Sequence, residues 1–115
     1  MNRAIFAAIV PLLLLTALMA RADSTTQPGG GEKHTINIKA MRYSPDKIEI
    51  KVGDTVTWTN LDDRDHTVIA SDDSFKSGNL SRGESFSFKF KKPGTYTYAC
   101  KYHPRMKATI VVKGD

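Results

Sequence analysis

The chain has 115 residues, of which 40% are hydrophobic and 25% charged, and its formal net charge is +5. This length allows one small domain, and the mild positive charge without a Lys/Arg run interleaved with aromatic residues argues against nucleic-acid binding. The single cysteine, Cys100, excludes an intrachain disulfide framework.

The first 22 residues are typical of an export signal. A basic start at Arg3 precedes the apolar run Ala4 to Met19, and the small residues of Ala20-Arg21-Ala22 suit a signal peptidase. We therefore predict cleavage near Ala22 and a periplasmic location. The apolar run is shorter than the roughly 20 residues that a membrane-spanning helix needs, so we expect no stable membrane insertion. An uncleaved N-terminal anchor is the alternative.

Residues 23–34 are polar and include Gly29-Gly30-Gly31, so we predict a flexible N-terminal segment before a domain at residues 35–115. The domain is rich in apolar residues that alternate with polar ones, and no stretch has a helical period. The clearest alternation occurs around Ile36, Ile48, Trp58, Phe88, Tyr98 and Ile110. A short strand is predicted at His66 to Ala70, followed by a long connection from Ser71 to Gly83. The pattern predicts an all-β, antiparallel Greek-key β-sandwich of about seven to eight strands.

A thiol, an imidazole and a thioether recur at every third position in Cys100-x-x-His103-x-x-Met106. Trigonal His₂Cys coordination with a weak axial Met is the signature of a blue-copper electron-transfer site. Of the two remaining histidines, His66 is the better candidate because it begins a strand that a sandwich can place beside Cys100. His34 adjoins the flexible segment and is a poor candidate. Burial of an inert Cys100 is the alternative explanation for the lone thiol.

Four segments together resemble the cupredoxins: Gly53 to Asn60, His66-Thr67-Val68, Pro93 to Tyr98 and Cys100 to Met106. The two-residue gaps between the last three donors are most similar to amicyanin. The resemblance implies one type 1 copper that cycles between Cu(II) and Cu(I). It also implies that His66, Cys100 and His103 are equatorial ligands and that Met106 is the axial ligand. A protein of this kind is a one-electron carrier and not an enzyme.

The chain departs from the family pattern beside these donors. Thr67 stands where cupredoxins often have Asn or Ser, and its hydroxyl could still hold the ligand strands together. The rim near His103 carries Lys101, Arg105 and Lys107, where an amicyanin-like loop is usually apolar. These charges are either ordinary solvated loop residues or a device that steers an acidic redox partner.

The resemblance implies redox partners that dock near His103, with a dehydrogenase as donor and a c-type cytochrome as acceptor, and a monomeric carrier. Two other functions remain open from the residues. A copper delivery or storage protein would use the same ligands but exchange its metal readily and lack intense colour. A β-sandwich interaction module with a merely buried cysteine would bind no metal.

Overall fold

The computed structural model describes residues 31–114, which form eight β-strands and contain no helix long and apolar enough to cross a membrane. The predicted signal peptide and most of the predicted flexible segment lie outside the described residues. The strands are β1 (Lys33–Lys39), β2 (Arg42–Ser44), β3 (Lys47–Lys51), β4 (Thr55–Asn60), β5 (Ile69–Ala70), β6 (Ser85–Lys89), β7 (Gly94–Ala99) and β8 (Lys107–Lys113). Strand β1 therefore begins two residues before the expected domain boundary at residue 35.

The strands form two four-stranded sheets, ordered β2-β1-β4-β6 and β3-β8-β7-β5, so the predicted all-β sandwich is confirmed. The pairing is mixed and not wholly antiparallel. Strand β1 runs parallel to β4, with Ile36 opposite Trp58, and β3 runs parallel to β8, with Ile48 opposite Ile110. The β1–β4 pair is parallel because the chain crosses to the other sheet at β3 and returns to lie beside β1 in the same direction.

The core is formed by the inward-facing residues of both sheets around Trp58, which is 0% exposed. The Trp58 ring stacks between Phe75 and Phe86, at centroid distances of 5.5 and 5.6 Å. Phe75 comes from the connection between residues 71 and 83, which has little regular structure, as predicted, but packs this side chain at the centre of the core. The predicted strand from His66 to Ala70 is reduced to β5 plus an isolated bridge between His66 and Leu80.

One end of the sandwich brings together segments that are distant in sequence. Strand β7 ends and β8 begins there, with Ala99 opposite Lys107. The β1–β2 turn and the loop that follows β4 lie at the same end, because Ile38 near the end of β1 pairs with Asn60. The predicted metal donors occupy this end.

Candidate metal centre

The segment between β7 and β8, residues 100–106, is a short loop closed by its own backbone, and we call it the ligand loop. Cys100 N–H donates to Met106 O at 3.2 Å, and Met106 N–H donates to His103 O at 2.8 Å. His103 N–H donates to Cys100 O at 3.3 Å. These bonds hold the three residues spaced at i, i+3 and i+6 in one compact turn. Cys100 and Met106 are buried, and His103 is only partly buried.

His66 reaches the ligand loop from the segment before β5, the strand that pairs with β7. Two backbone hydrogen bonds with Leu80 fix its position, and its side chain is 0% exposed. Its Nδ1 lies 3.8 Å from Cys100 Sγ, and His103 Nδ1 lies 3.8 Å from the same sulfur. The three donor atoms all lie within 4.8 Å of one another.

These separations suit a shared metal ion. For metal–sulfur and metal–nitrogen bonds of about 2.3 and 2.0–2.1 Å, two donors at tetrahedral to trigonal angles lie about 3.6–3.8 Å apart. The distances between Cys100 Sγ and the two imidazole nitrogens match this range. The side chains are thus already arranged around a common point.

Thr67 links the two segments that carry the predicted metal donors. Its backbone N–H points to Cys100 Sγ at 3.5 Å, and its hydroxyl oxygen accepts a hydrogen bond from Lys101 N–H at 2.9 Å. The expected linking role of this hydroxyl is confirmed. Tyr43 attaches β2 to the same segment, because its buried hydroxyl donates a hydrogen bond to Thr67 O at 2.6 Å.

The Cys100 thiol is readily ionised in this setting. Burial opposes ionisation, but the backbone N–H of Thr67, the neighbouring rings of His66 and His103 and the backbone at Tyr102 outweigh it and lower the pKa of Cys100 to about 6. Because the thiolate is the form that binds metals, the site presents its sulfur ligand at neutral pH.

Asp62 orients His66, a role that its position in an acidic loop did not reveal. Its Oδ2 accepts a hydrogen bond from His66 Nε2 at 2.8 Å, which leaves Nδ1 directed toward Cys100. The same carboxylate accepts bonds from the N–H groups of Ala40 and Met41 at 2.8 and 3.0 Å. Ala40 and Met41 have φ angles of 54° and 59°, the left-handed pair of a tight hairpin turn. Asp62 therefore ties this turn to a predicted metal ligand, as carboxylates behind metal-binding histidines commonly do.

His34, the poor candidate among the histidines, lies near the start of β1, at the other end of the sandwich. Its Nε2 donates to Asp54 Oδ2 at 2.9 Å, and Asp54 also accepts hydrogen bonds from the backbone N–H groups of Glu32 and Lys51. Burial opposes ionisation of Asp54, but these hydrogen bonds outweigh it and hold the pKa of its carboxyl below the usual value. The three hydrogen bonds to Asp54 join β1 to the turn before β4. None of these residues takes part in the cluster at the ligand loop.

Comparison with known proteins assigns the family. Residues 6–112 match the family model of the cupredoxin-like domain. Amicyanin-alpha of Methylorubrum extorquens is 33% identical over 117 residues, which span 93% of this chain and 94% of that protein. The chain is a cupredoxin. Its expected likeness to amicyanin is also confirmed.

Two further relatives extend the likeness of this cupredoxin. Plastocyanin of Scenedesmus fuscus is 36% identical over 64% of this chain and 89% of that protein. The solved structure of a reduced Cu(I) form of an amicyanin variant matches with a TM-score of 0.65 at 33% identity, covering 70% of this chain and 81% of that one.

The donor set of the site fits the cofactor of the family. Cys and Met sulfurs favour Cu(I), and imidazole suits copper in either oxidation state. This cupredoxin is accordingly an electron carrier whose cofactor is one type 1 copper.

Proposed function

We propose that the chain is a periplasmic one-electron carrier in which His66, Cys100 and His103 are equatorial copper ligands and Met106 is the axial ligand. The observation that carries this proposal is the clustering of the three nitrogen and sulfur donor atoms within 4.8 Å of one another. Copper bound there supplies a centre that gains or loses one electron.

The residues around the donors support rapid electron transfer because they restrict movement. His66 is held by three hydrogen bonds, two between its backbone and that of Leu80 and one from its Nε2 to Asp62. The ligand loop is closed by its own backbone hydrogen bonds and attached to Thr67. Ligands held in this way move little between oxidation states, and a small rearrangement keeps the barrier to electron transfer low.

His103 is the ligand through which electrons would enter and leave. It is the only partly exposed member of the three clustered donors, whereas His66 and Cys100 are buried. A redox partner that docks near His103 comes closest to the metal without any opening of the fold. We propose a dehydrogenase as donor and a c-type cytochrome as acceptor, with the carrier acting as a monomer and performing no substrate turnover of its own.

The domain organisation follows the same proposal. Residues 1–22 act as the export signal, and the lead predicted at residues 23–34 gives way to the cupredoxin domain where β1 begins, at Lys33. Export to the periplasm would place the domain beside electron-transfer partners of the same compartment. N-terminal sequencing of the protein recovered from the periplasm of a bacterial host tests the cleavage near Ala22; an intact N-terminus on membrane-associated protein would refute it.

A visible spectrum tests the ligand assignment. Addition of Cu(II) to the exported protein should give an intense thiolate-to-copper band that ascorbate bleaches. Cys100→Ser and His66→Ala should abolish the band, while the matched control His34→Ala should retain it. Weak colour with readily exchanged metal would indicate copper delivery or storage, and no metal binding would indicate an interaction module. Either result would overturn the proposal.

A further inference from the structure

A basic pocket lies beside the ligand loop, on the side of β2. Its volume is about 220 Å³, and Arg42, Arg105 and Lys107 contribute to its wall together with a single carboxylate, Asp46. We call this the β2 pocket. Arg105 and Lys107 flank the proposed ligand Met106, which also lines the pocket. Arg42 comes from a distant part of the sequence, so its presence could not be inferred from the charged loop alone.

The three cationic side chains form no ion pair within the part of the chain that the structure describes. Lys76 and Lys113 form ion pairs there, but none of the carboxylates among residues 31–114 lies within 4.0 Å of the charged nitrogens of Arg42, Arg105 or Lys107. All three residues are exposed. A guanidinium presents a planar set of N–H donors that matches a carboxylate, and two of these are available in the β2 pocket.

Apart from Asp46, the acidic residues near this end do not line the β2 pocket. Asp63 and Asp65 are exposed in the loop after β4, and neither lines the β2 pocket. Asp62, in the same loop, is occupied by the turn donors and by His66. The β2 pocket therefore carries three cationic side chains against the single carboxylate of Asp46.

The pocket also combines charge with apolar surface near the electron-exit ligand. Met41, which lines it, is 39% exposed, and Arg105 follows His103 by only two residues. A side chain inserted here would hold another protein against the exposed edge of His103. Opposite charges at such a position increase the rate of encounter and fix the orientation of the complex.

We propose that the β2 pocket receives acidic side chains of the redox partner, so that the partner presents carboxylates beside its own redox centre. This inference rests on the proposed electron-carrier function and specifies the chemistry of the partner. It assigns Arg42, Arg105 and Lys107 to partner recognition, separate from the residues that would hold copper.

A c-type cytochrome of basic surface, used before and after succinylation of its lysines, provides a pair of probes that differ in charge. The ascorbate-reduced, copper-loaded protein is mixed with each form in a stopped-flow instrument. A pocket variant carries Arg42→Gln, Arg105→Gln and Lys107→Gln. Comparing variant with parent for the same cytochrome cancels differences in driving force.

At low ionic strength the pocket variant should transfer electrons to the succinylated cytochrome at least about tenfold more slowly than the parent, since electrostatic steering changes association rates by 10-fold or more. The rate with the unmodified cytochrome should not fall. The difference should largely vanish at about 1 M salt, where the screening length is roughly 3 Å.

A control variant with Lys89→Gln, Lys91→Gln and Lys92→Gln loses the same charge at the opposite end of the sandwich. These residues lie at the end of β6 and before Gly94, where β7 begins, whereas the ligand loop follows the other end of β7. The control should stay within about twofold of the parent, because charges far beyond a Debye length from the docking edge are screened. Equal losses in both variants would show an effect of net charge only and overturn the proposal, as would no loss in either.

Two further measurements complete the test. The visible spectrum of each protein reports the copper centre, so a colourless parent would refute the proposed function. A blue parent whose electron-transfer rate is unchanged in the pocket variant would refute only this inference. Arg42→Glu is a second variant that leaves the ligand loop unchanged. This single substitution should also slow the reaction with the succinylated cytochrome severalfold, so the test still holds where the pocket variant disturbs Met106. A saturable effect of inorganic phosphate at constant ionic strength, with no dependence on cytochrome charge, would identify a small-anion site and overturn the proposal.

Discussion

Replacement of Asp62 should weaken both the turn before β2 and the position of His66. The carboxylate accepts three hydrogen bonds, from Ala40 N, Met41 N and His66 Nε2. The two turn donors are exposed, so water can replace the carboxylate there, but the His66 side chain is fully buried and its N–H would lose its partner. A buried donor without a partner costs about 1–3 kcal/mol, and each lost net hydrogen bond costs about 0.5–1.5 kcal/mol. Asp62→Ala should therefore lower the free energy of unfolding by about 2–4 kcal/mol.

Asp62→Asn divides this effect into its parts. The amide oxygen can still accept from His66 Nε2, but the amide N–H₂ would then face the N–H of Ala40. The loss should be nearer about 1 kcal/mol, the typical value of one net hydrogen bond. The addition of Ala40→Gly should recover stability in the Asn variant, because glycine adopts the positive φ of this turn without strain. It should not repair the orientation of His66 in Asp62→Ala.

Urea unfolding of the copper-free protein, followed through the fluorescence of Trp58, measures these free energies. Competition with a copper chelator measures the effect on the position of His66. Loss of a group behind a metal-binding histidine typically weakens metal affinity 10–100-fold. Asp63→Ala is the matched control because this neighbouring carboxylate is exposed, and it should change stability by less than about 0.5 kcal/mol. The reasoning is refuted if Asp62→Ala is as mild as Asp63→Ala, or if Asp62→Asn is as costly as Asp62→Ala.

Three other predictions follow from the contacts. Phe75→Ala should lower the free energy of unfolding by about 3–5 kcal/mol, because it leaves a cavity at the centre of the core, and a loss below about 1.5 kcal/mol in urea would contradict that role. Thr67→Val keeps the side-chain shape but removes the oxygen that accepts from Lys101 N–H, so it should cost about 1–2 kcal/mol and broaden the copper spectrum; unchanged stability and spectrum would contradict it. The pKa of Asp54 is lowered in the folded protein, so its contribution to folding stability is complete above the ordinary Asp pKa of about 4 and is lost as pH falls through the lower folded value. Asp54→Asn should therefore make the free energy of unfolding less dependent on pH below about pH 4. An unchanged pH profile would count against this.

The clustering of His66, Cys100 and His103 agrees with the donor set predicted from the sequence, because chemistry and spacing both point to these residues. Cys100, His103 and Met106 lie in one short segment, and their order along the chain already implies a common site. His66 could be added because only three histidines are present and His34 adjoins the polar lead. The alternation of apolar residues likewise predicted the sandwich, since a strand with one buried face leaves a period of two.

The features that escaped prediction depend on contacts between distant segments. Asp62 reads as one of several loop acids until the β1–β2 turn is placed beside it. Phe75 lies among polar residues, and only the packing of two sheets shows that its ring fills the core. The parallel pairing of β1 with β4 was missed for the same reason: alternation reports which face is buried but not which strand lies alongside.

The structure separates the features that hold the donors from those that face a partner. The donors are positioned by backbone bonds of the ligand loop, by the Thr67 hydroxyl and by the Asp62 carboxylate. The side chains of Arg42 and Arg105 take part in none of these bonds. The surface beside His103 can therefore change its charge while the donor geometry stays constant. Resemblance to amicyanin in the spacing of the ligand loop is consequently a guide to the metal centre, whereas the charges of the β2 pocket should determine which dehydrogenase or cytochrome docks beside it.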